Sequence, residues 1–171
     1  LALLSGMRSG EMYALNWPDI DFSAGTISVT KQWTNKDGIT PTKTRENRVV
    51  PMSEDLKKLL LEIRNSCDSD HVLPRLREWT NGMQAEVLRD FCRAIGITEV
   101  KFHDLRATFI TNMLSQGVPL VTVMSIVGHR KMATTDVYVR LAGINVKGAT
   151  EKLAYGLPNL DGVHILKIGS Q

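Results

Sequence analysis

Six side chains in this sequence have the types and spacing to handle a phosphodiester. His103 and Arg106 stand three apart in KFHDLRATF, so on a helix they are neighbours on one face. His129 follows Gly128 at the end of the apolar run LVTVMSIV, and Tyr138 closes the segment KMATTDVY. The stretch from Lys101 to Tyr138 thus gathers two imidazoles, a guanidinium and a phenol in one helical hairpin. A planar guanidinium can hold two non-bridging oxygens of a phosphate at once. An imidazole can donate to the same phosphate or move a proton. A phenol, with an ordinary pKa of about 10, needs cations or a base beside it to attack phosphorus. Two further basic residues suit the same pocket from far upstream. Arg8 lies between two helices in SGMRSGE, where Glu11 can reach back to it or to a backbone amide near the helix start. Lys43 lies at the tip of a strand loop in TPTKTREN, where a flexible lysine aimed at a leaving oxygen would be a good general acid.

Taken singly, each residue also has a plainer reading. The His103–Arg106 pair is as well read as a surface salt bridge or a satisfied core histidine. His129 could simply cap the last carbonyls of its helix, a place that favours an imidazolium. Tyr138 has Val137 and Leu141 as apolar neighbours and could be a packing residue. Arg8 reads as a locally paired surface arginine and Lys43 as a solvated hairpin lysine.

The elements that must position these residues follow from pattern. Ser5-Gly6 ends a first short helix, and Ser9 can cap a second over SGEMYAL, ended near Pro18. Ile20 and Phe22 alternate with aspartates, TISVTKQW is β-branched and alternating, and Asp37-Gly38 supplies a turn. ITPTKTRENRVVPM returns as an interrupted strand, Pro41 suiting an edge. A single antiparallel sheet of three strands near the N-terminal side is expected. The remainder reads as helices over residues 53–66, 81–95, 100–116 and 120–127, with a short one holding Tyr138 behind a Thr134 or Thr135 cap and another over residues 146–153. In the helix of residues 100–116, Phe102, Leu105, Phe109 and Met113 form the expected core stripe. The fold class is therefore α+β, mainly α-helical.

Composition narrows the classes. A chain of 171 residues with 43% hydrophobic content can build one domain with a real core. A net charge of +3 is compatible with nucleic acid. Cys67 and Cys92 show neither metal spacing nor a disulfide framework, which fits reduced thiols. No apolar run approaches a membrane span. The chain starts at Leu1 inside an apolar turn, as expected of a fragment with a domain upstream.

GMRSGE, TKTRENRVVPM, HDLRATF and VGHRKMATTDVY, in this order and with these intervening helices, resemble the catalytic domain of tyrosine site-specific recombinases, the phage integrase family. The resemblance spans roughly residues 1–153. It implies that Arg8, Lys43, His103, Arg106, His129 and Tyr138 are the active-site set and that Glu11 is an accessory carboxylate orienting the first arginine. Ala107 and Arg140 stand where histidine is frequent in the family. The implied catalytic domain covers residues 1–155. Gly156-Leu157-Pro158 ends the helical layer, and in the tail over residues 156–171 the apolar Val163, Ile165 and Ile168 suit either a short strand or arm docked on a catalytic domain, its own or a neighbour's, or a frayed end that covers an apolar spot. The implied activity is site-specific DNA cleavage and rejoining through a 3′-phosphotyrosine, giving integration and excision without metal or cofactor. The implied partners are double-stranded DNA, further copies of the chain as a homo-tetramer on DNA, and accessory DNA-bending proteins. A cytoplasmic, DNA-associated protein of a bacterium or phage is expected. A type IB topoisomerase shares this chemistry but rejoins the same strand. A DNA-binding regulator with an inactive site and a metal-dependent nuclease also compete with this reading, and the GMRSGE and VGH contexts favour a recombinase.

Overall fold

A computed structural model describes residues 1–42, 47–66, 68–74, 79, 81–131, 137–139 and 142–143. Lys43, Cys67, the Thr134 and Thr135 cap, the expected helix at residues 146–153 and the tail lie outside the described residues. Helix α1 (Ala2–Ser5) ends at Gly6, which is left-handed at φ 61°. Helix α2 (Ser9–Tyr13) follows, but its cap is Arg8 rather than Ser9. Arg8 is extended there, and its backbone N–H donates to the Glu11 carboxylate at 2.8 Å, so the acidic residue takes over the capping that a serine hydroxyl was expected to supply.

The expected three-stranded antiparallel sheet is present, and a two-stranded hairpin separates from it. Strands β1 (Ile20–Asp21), β2 (Thr26–Val29) and β5 (Arg48–Pro51) form an antiparallel sheet in the order β1-β2-β5. Strands β3 (Lys31–Thr34) and β4 (Gly38–Pro41) form a separate hairpin. The break falls between Val29 and Lys31, where the Thr42 N–H donates to the Thr30 carbonyl at 3.4 Å and carries the pairing across the joint. The two halves part because they pack on different helices. Strand β3 lies on α2 so closely that a Cβ on Gly10 would come within 2.5 Å of the Trp33 carbonyl oxygen, whereas β5 lies on the helix of residues 120–127.

Helix α3 (Glu54–Ser66) begins as expected, with Ser53 Oγ accepting the Leu56 N–H at 3.2 Å. Helix α4 (Gln84–Ala94) starts later than Asn81, because residues 81–82 form a turn. Helices α5 (Phe102–Ser115) and α6 (Leu120–Val127) carry the site, and residues 137–139 are helical around Tyr138. The buried face of α5 is not the expected stripe. Arg106, Ile110 and Leu114 are buried at spacings of four, while Phe102, Leu105, Phe109 and Met113 flank them half-buried. An arginine thus lies at the centre of the inward face. An aromatic chain joins the hairpin to α5: Trp33 meets Tyr13 edge-on at 5.6 Å, Tyr13 stacks on Trp79 at 4.9 Å, and Trp79 contacts Phe102 at 5.1 Å.

The turn at Gly6 brings α1 against α5 and is sterically closed. A Cβ there would sit 2.4 Å from Phe109 Cδ1, in a backbone region side chains avoid. Gly6→Ala is expected to destabilise the fold by about 2 kcal/mol or more, since strain and overpacking add. A thermal melt checks this, and an unchanged midpoint would mean that α1 shifts freely on α5.

Candidate active site

Arg106 is 3% exposed, and its position follows from what surrounds the α5 face. Its Nη1 donates to the Gly6 carbonyl and its Nη2 to the Val127 carbonyl at 2.6 Å. The turn after α1 and the end of α6 therefore supply the acceptors that a buried guanidinium requires. Burial, reinforced by the charge of Arg8, lowers the Arg106 pKa from its ordinary value to about 10, which leaves it cationic at neutral pH.

Arg8 donates to Glu11 Oε1 at 2.9 Å and to the Gly128 carbonyl at 3.4 Å, with about a third of its side chain exposed. Both contacts considered for Glu11 are made, to the Arg8 guanidinium and to its backbone amide. A third arginine completes the arrangement. Arg48 reaches from β5 to grip Glu11 with two bonds, at 2.8 and 2.6 Å, and its Nε donates to the Ile126 carbonyl at 2.8 Å. Sequence reasoning passed over Arg48. The signal was the alternation in RVVP: Val49 is exposed and Val50 buried, so Arg48 shares the inward face and must find partners there. Burial pushes the Glu11 pKa up, but the hydrogen bonds and charge of Arg48, then those of Arg8, outweigh it and hold the carboxyl below its ordinary value of 4.5.

Tyr138 and the histidines face these arginines. The Tyr138 hydroxyl lies 3.2 Å from His103 Nε2, and the Tyr138 ring is 9% exposed and part of the core. Its ring centroid is 6.4 Å from that of His129, near parallel at 22°. His103 itself is exposed on α5. A cavity of about 210 Å³ is lined by Arg8, Ser9, Phe102, His103 and Arg106. Three of the six expected site residues thus line one concavity, Tyr138 adjoins it through His103 and His129 through Tyr138, with Glu11 behind Arg8.

His129 departs from its expected charge. The C-terminal end of α6 should favour an imidazolium, yet desolvation and then the charges of Arg106, Arg8 and Arg48 push its pKa from 6.5 down to about 4. A helix terminus carries only a fraction of a charge, and guanidinium neighbours outweigh it. The unfolded chain takes up this proton at higher pH than the folded one. The contribution of neutral His129 to stability is therefore complete above pH 6.5 and is lost as pH falls toward 4. Melting temperatures across that window should fall more steeply for the wild type than for His129→Asn. Parallel slopes would show that His129 takes up its proton as readily in the fold as in the unfolded chain.

Residues 1–143 match the Phage integrase family. The ICEBs1 integrase of Bacillus subtilis is 31% identical over 171 residues, covering 90% of this chain and 46% of that relative. The tyrosine recombinase XerA of Pyrococcus furiosus is 29% identical over 168 residues, covering 92% of this chain and 54% of its own length. The chain spans about half the length of these relatives. A crystal structure of XerA recombinase superimposes with a TM-score of 0.63 at 29% identity, over 88% of this chain and 53% of that one. The Tn1549 transposon integrase, in complex with a circular intermediate DNA, superimposes with a TM-score of 0.69 at 19% identity, over 89% of this chain and 55% of that one, a likeness of fold.

Proposed function

The chain belongs to the phage integrase family, and on that premise we propose that it is the catalytic part of a site-specific recombinase, with Tyr138 as its nucleophile. The observation that carries the reading is the hydrogen bond between the Tyr138 hydroxyl and His103 Nε2 beside the buried Arg106. A base within reach of the phenol and a fixed cation beside it are the two conditions for attack on phosphorus. The Tyr138 oxygen bonds to a DNA phosphorus, the 5′-oxygen of the next nucleotide leaves, and a 3′-phosphotyrosine remains. His103 takes the phenol proton, and Lys43 gives one to the leaving oxygen. Arg8 and Arg106 bind the non-bridging oxygens as charge builds, with Glu11 orienting Arg8. Neutral His129 donates one N–H to a phosphate oxygen. Attack by a different 5′-hydroxyl then reverses the chemistry and exchanges strands, giving integration or excision. The energy of the broken bond stays in the covalent intermediate, so no cofactor enters.

Double-stranded DNA is the partner in this reading, with a homo-tetramer assembled on it and DNA-bending proteins as accessories. Residues 1–155 act as the catalytic domain and residues 156–171 as the tail. Among the described residues no helix is long and apolar enough to cross a membrane, and a cytoplasmic, DNA-associated protein of bacterial or phage origin fits the proposal. The test is covalent capture of the full-length protein on a nicked suicide duplex built from the DNA flanking its gene, with and without EDTA. Capture that survives EDTA supports the reading. Cleavage without a covalent adduct, or cleavage abolished by EDTA, overturns it.

A further inference from the structure

We propose that Arg48 is a positioning residue of the cleavage site, fixing Arg8 and the end of α6 against each other through Glu11 and the Ile126 carbonyl. The proposal rests on the reading that Arg8 binds the scissile phosphate, and adds a residue that touches no substrate.

Glu11 is fully buried, with a side-chain exposure of 0%. Its Oε1 accepts from Arg8 Nη1 and Arg48 Nη1, and its Oε2 from the Arg8 backbone N–H and Arg48 Nη2. Arg48 thus supplies two of these four bonds. It is also the deeper partner, 7% exposed against 30% for Arg8. The charged groups facing Glu11 are Arg8 from the start of its own helix, Arg48 from β5 and Arg106 from α5. Arg106 makes its hydrogen bonds to backbone carbonyls, so without Arg48 the carboxylate would keep only the partially exposed Arg8 as a bonded cation. A buried carboxylate so reduced takes a proton instead. A neutral Glu11 has a weaker hold on the Arg8 guanidinium, and the phosphate clamp loses its alignment.

The third bond of Arg48 ties this pair to the other side of the site. The Ile126 carbonyl belongs to the last turn of α6, whose neighbouring carbonyls at Val127 and Gly128 accept from Arg106 and Arg8. Gly128 makes room for it. A Cβ there would lie 3.1 Å from Arg48 Cδ, and the left-handed φ of 72° already disfavours one. One planar fork therefore links β5, α2 and α6 through three bonds to two partners, which a lysine cannot reproduce.

The test compares single-turnover covalent capture by the wild type, Arg48→Met, Arg48→Lys, Glu11→Gln and the Glu11→Gln/Arg48→Met pair, from about pH 6 to about pH 8.5. For Arg48→Met, the ratio of wild-type to variant rate should grow as pH falls, by up to about tenfold per pH unit, the slope of one proton on Glu11. Arg48→Lys keeps a charge beside Glu11, so its ratio should be above one but nearly independent of pH. In the double variant the pH dependence should vanish, and capture should be no slower than for Glu11→Gln alone. The double variant no longer leaves a buried carboxylate short of donors and is expected to melt above Arg48→Met, which preserves the comparison if the single variant unfolds. A pH-independent ratio for Arg48→Met overturns the proposal, as does a double variant slowed by the product of the single effects. Failure of the wild type itself to form an adduct would instead overturn the recombinase reading, so the two failures are separable.

Discussion

Tyr138→Phe is expected to abolish covalent capture of DNA while leaving DNA binding nearly intact. In the proposed mechanism the substitution removes the single atom that bonds to phosphorus, and no other group takes its place, because His103 acts there as the base and His129 and the arginines as donors. The structural cost is small. The Tyr138 ring is 9% exposed and packs in the core, and phenylalanine keeps that packing. What is lost is one hydrogen bond to His103, about 1 kcal/mol of a stability several times larger. On the proposed reading binding rests on cations meeting phosphates, and the substitution touches none of them. Denaturing gels on the suicide duplex measure the adduct, and a mobility shift measures binding. An adduct formed by the variant at wild-type rate would remove Tyr138 from its role.

Arg106→Lys should lower single-turnover cleavage by about a hundredfold or more, nearly as much as Arg106→Ala. Removing one preorganised donor from a developing charge costs on the order of 3 kcal/mol in other enzymes. Lysine keeps the charge but not the fork. The guanidinium reaches the Gly6 and Val127 carbonyls at once, and a single ammonium cannot span both while also meeting a phosphate. Burial among Arg8 and Arg48 would also favour the neutral amine. The variant leaves buried carbonyls without donors, which costs stability as well, so cleavage is compared well below its melting temperature. Near-normal cleavage by the folded lysine variant would mean that a point charge suffices.

The part of the site legible in the sequence is the part written in local spacing. His103 and Arg106 are neighbours on a helix by arithmetic alone, and Gly128 ends α6 where its missing side chain says it should. What escapes depends on segments far apart in the chain. Arg106 reads as marginal to a stripe of larger apolar residues because a charged side chain looks outward until its acceptors are known, and those belong to residues 6 and 127. Arg48 escapes for the same reason, its partners being Glu11 and Ile126. The hairpin reads as part of one sheet because alternation reports a strand and not the helix it will lie on, and β3 and β5 lie on different ones. The charge of His129 follows from its own helix only until Arg106, Arg8 and Arg48 approach it from three other elements.

Helix α6 gives the arginines three consecutive main-chain oxygens, those of Ile126, Val127 and Gly128, and no side chain takes part. The frame for the cations is therefore encoded in where a helix stops rather than in which residues compose it. Apolar residues at positions 126 and 127 can be exchanged for others of similar shape without altering a single acceptor. Helix length is the intolerant variable. One residue inserted between Leu120 and Val127 turns the terminal carbonyls by about 100°, and three guanidinium groups lose their bearings in the same step.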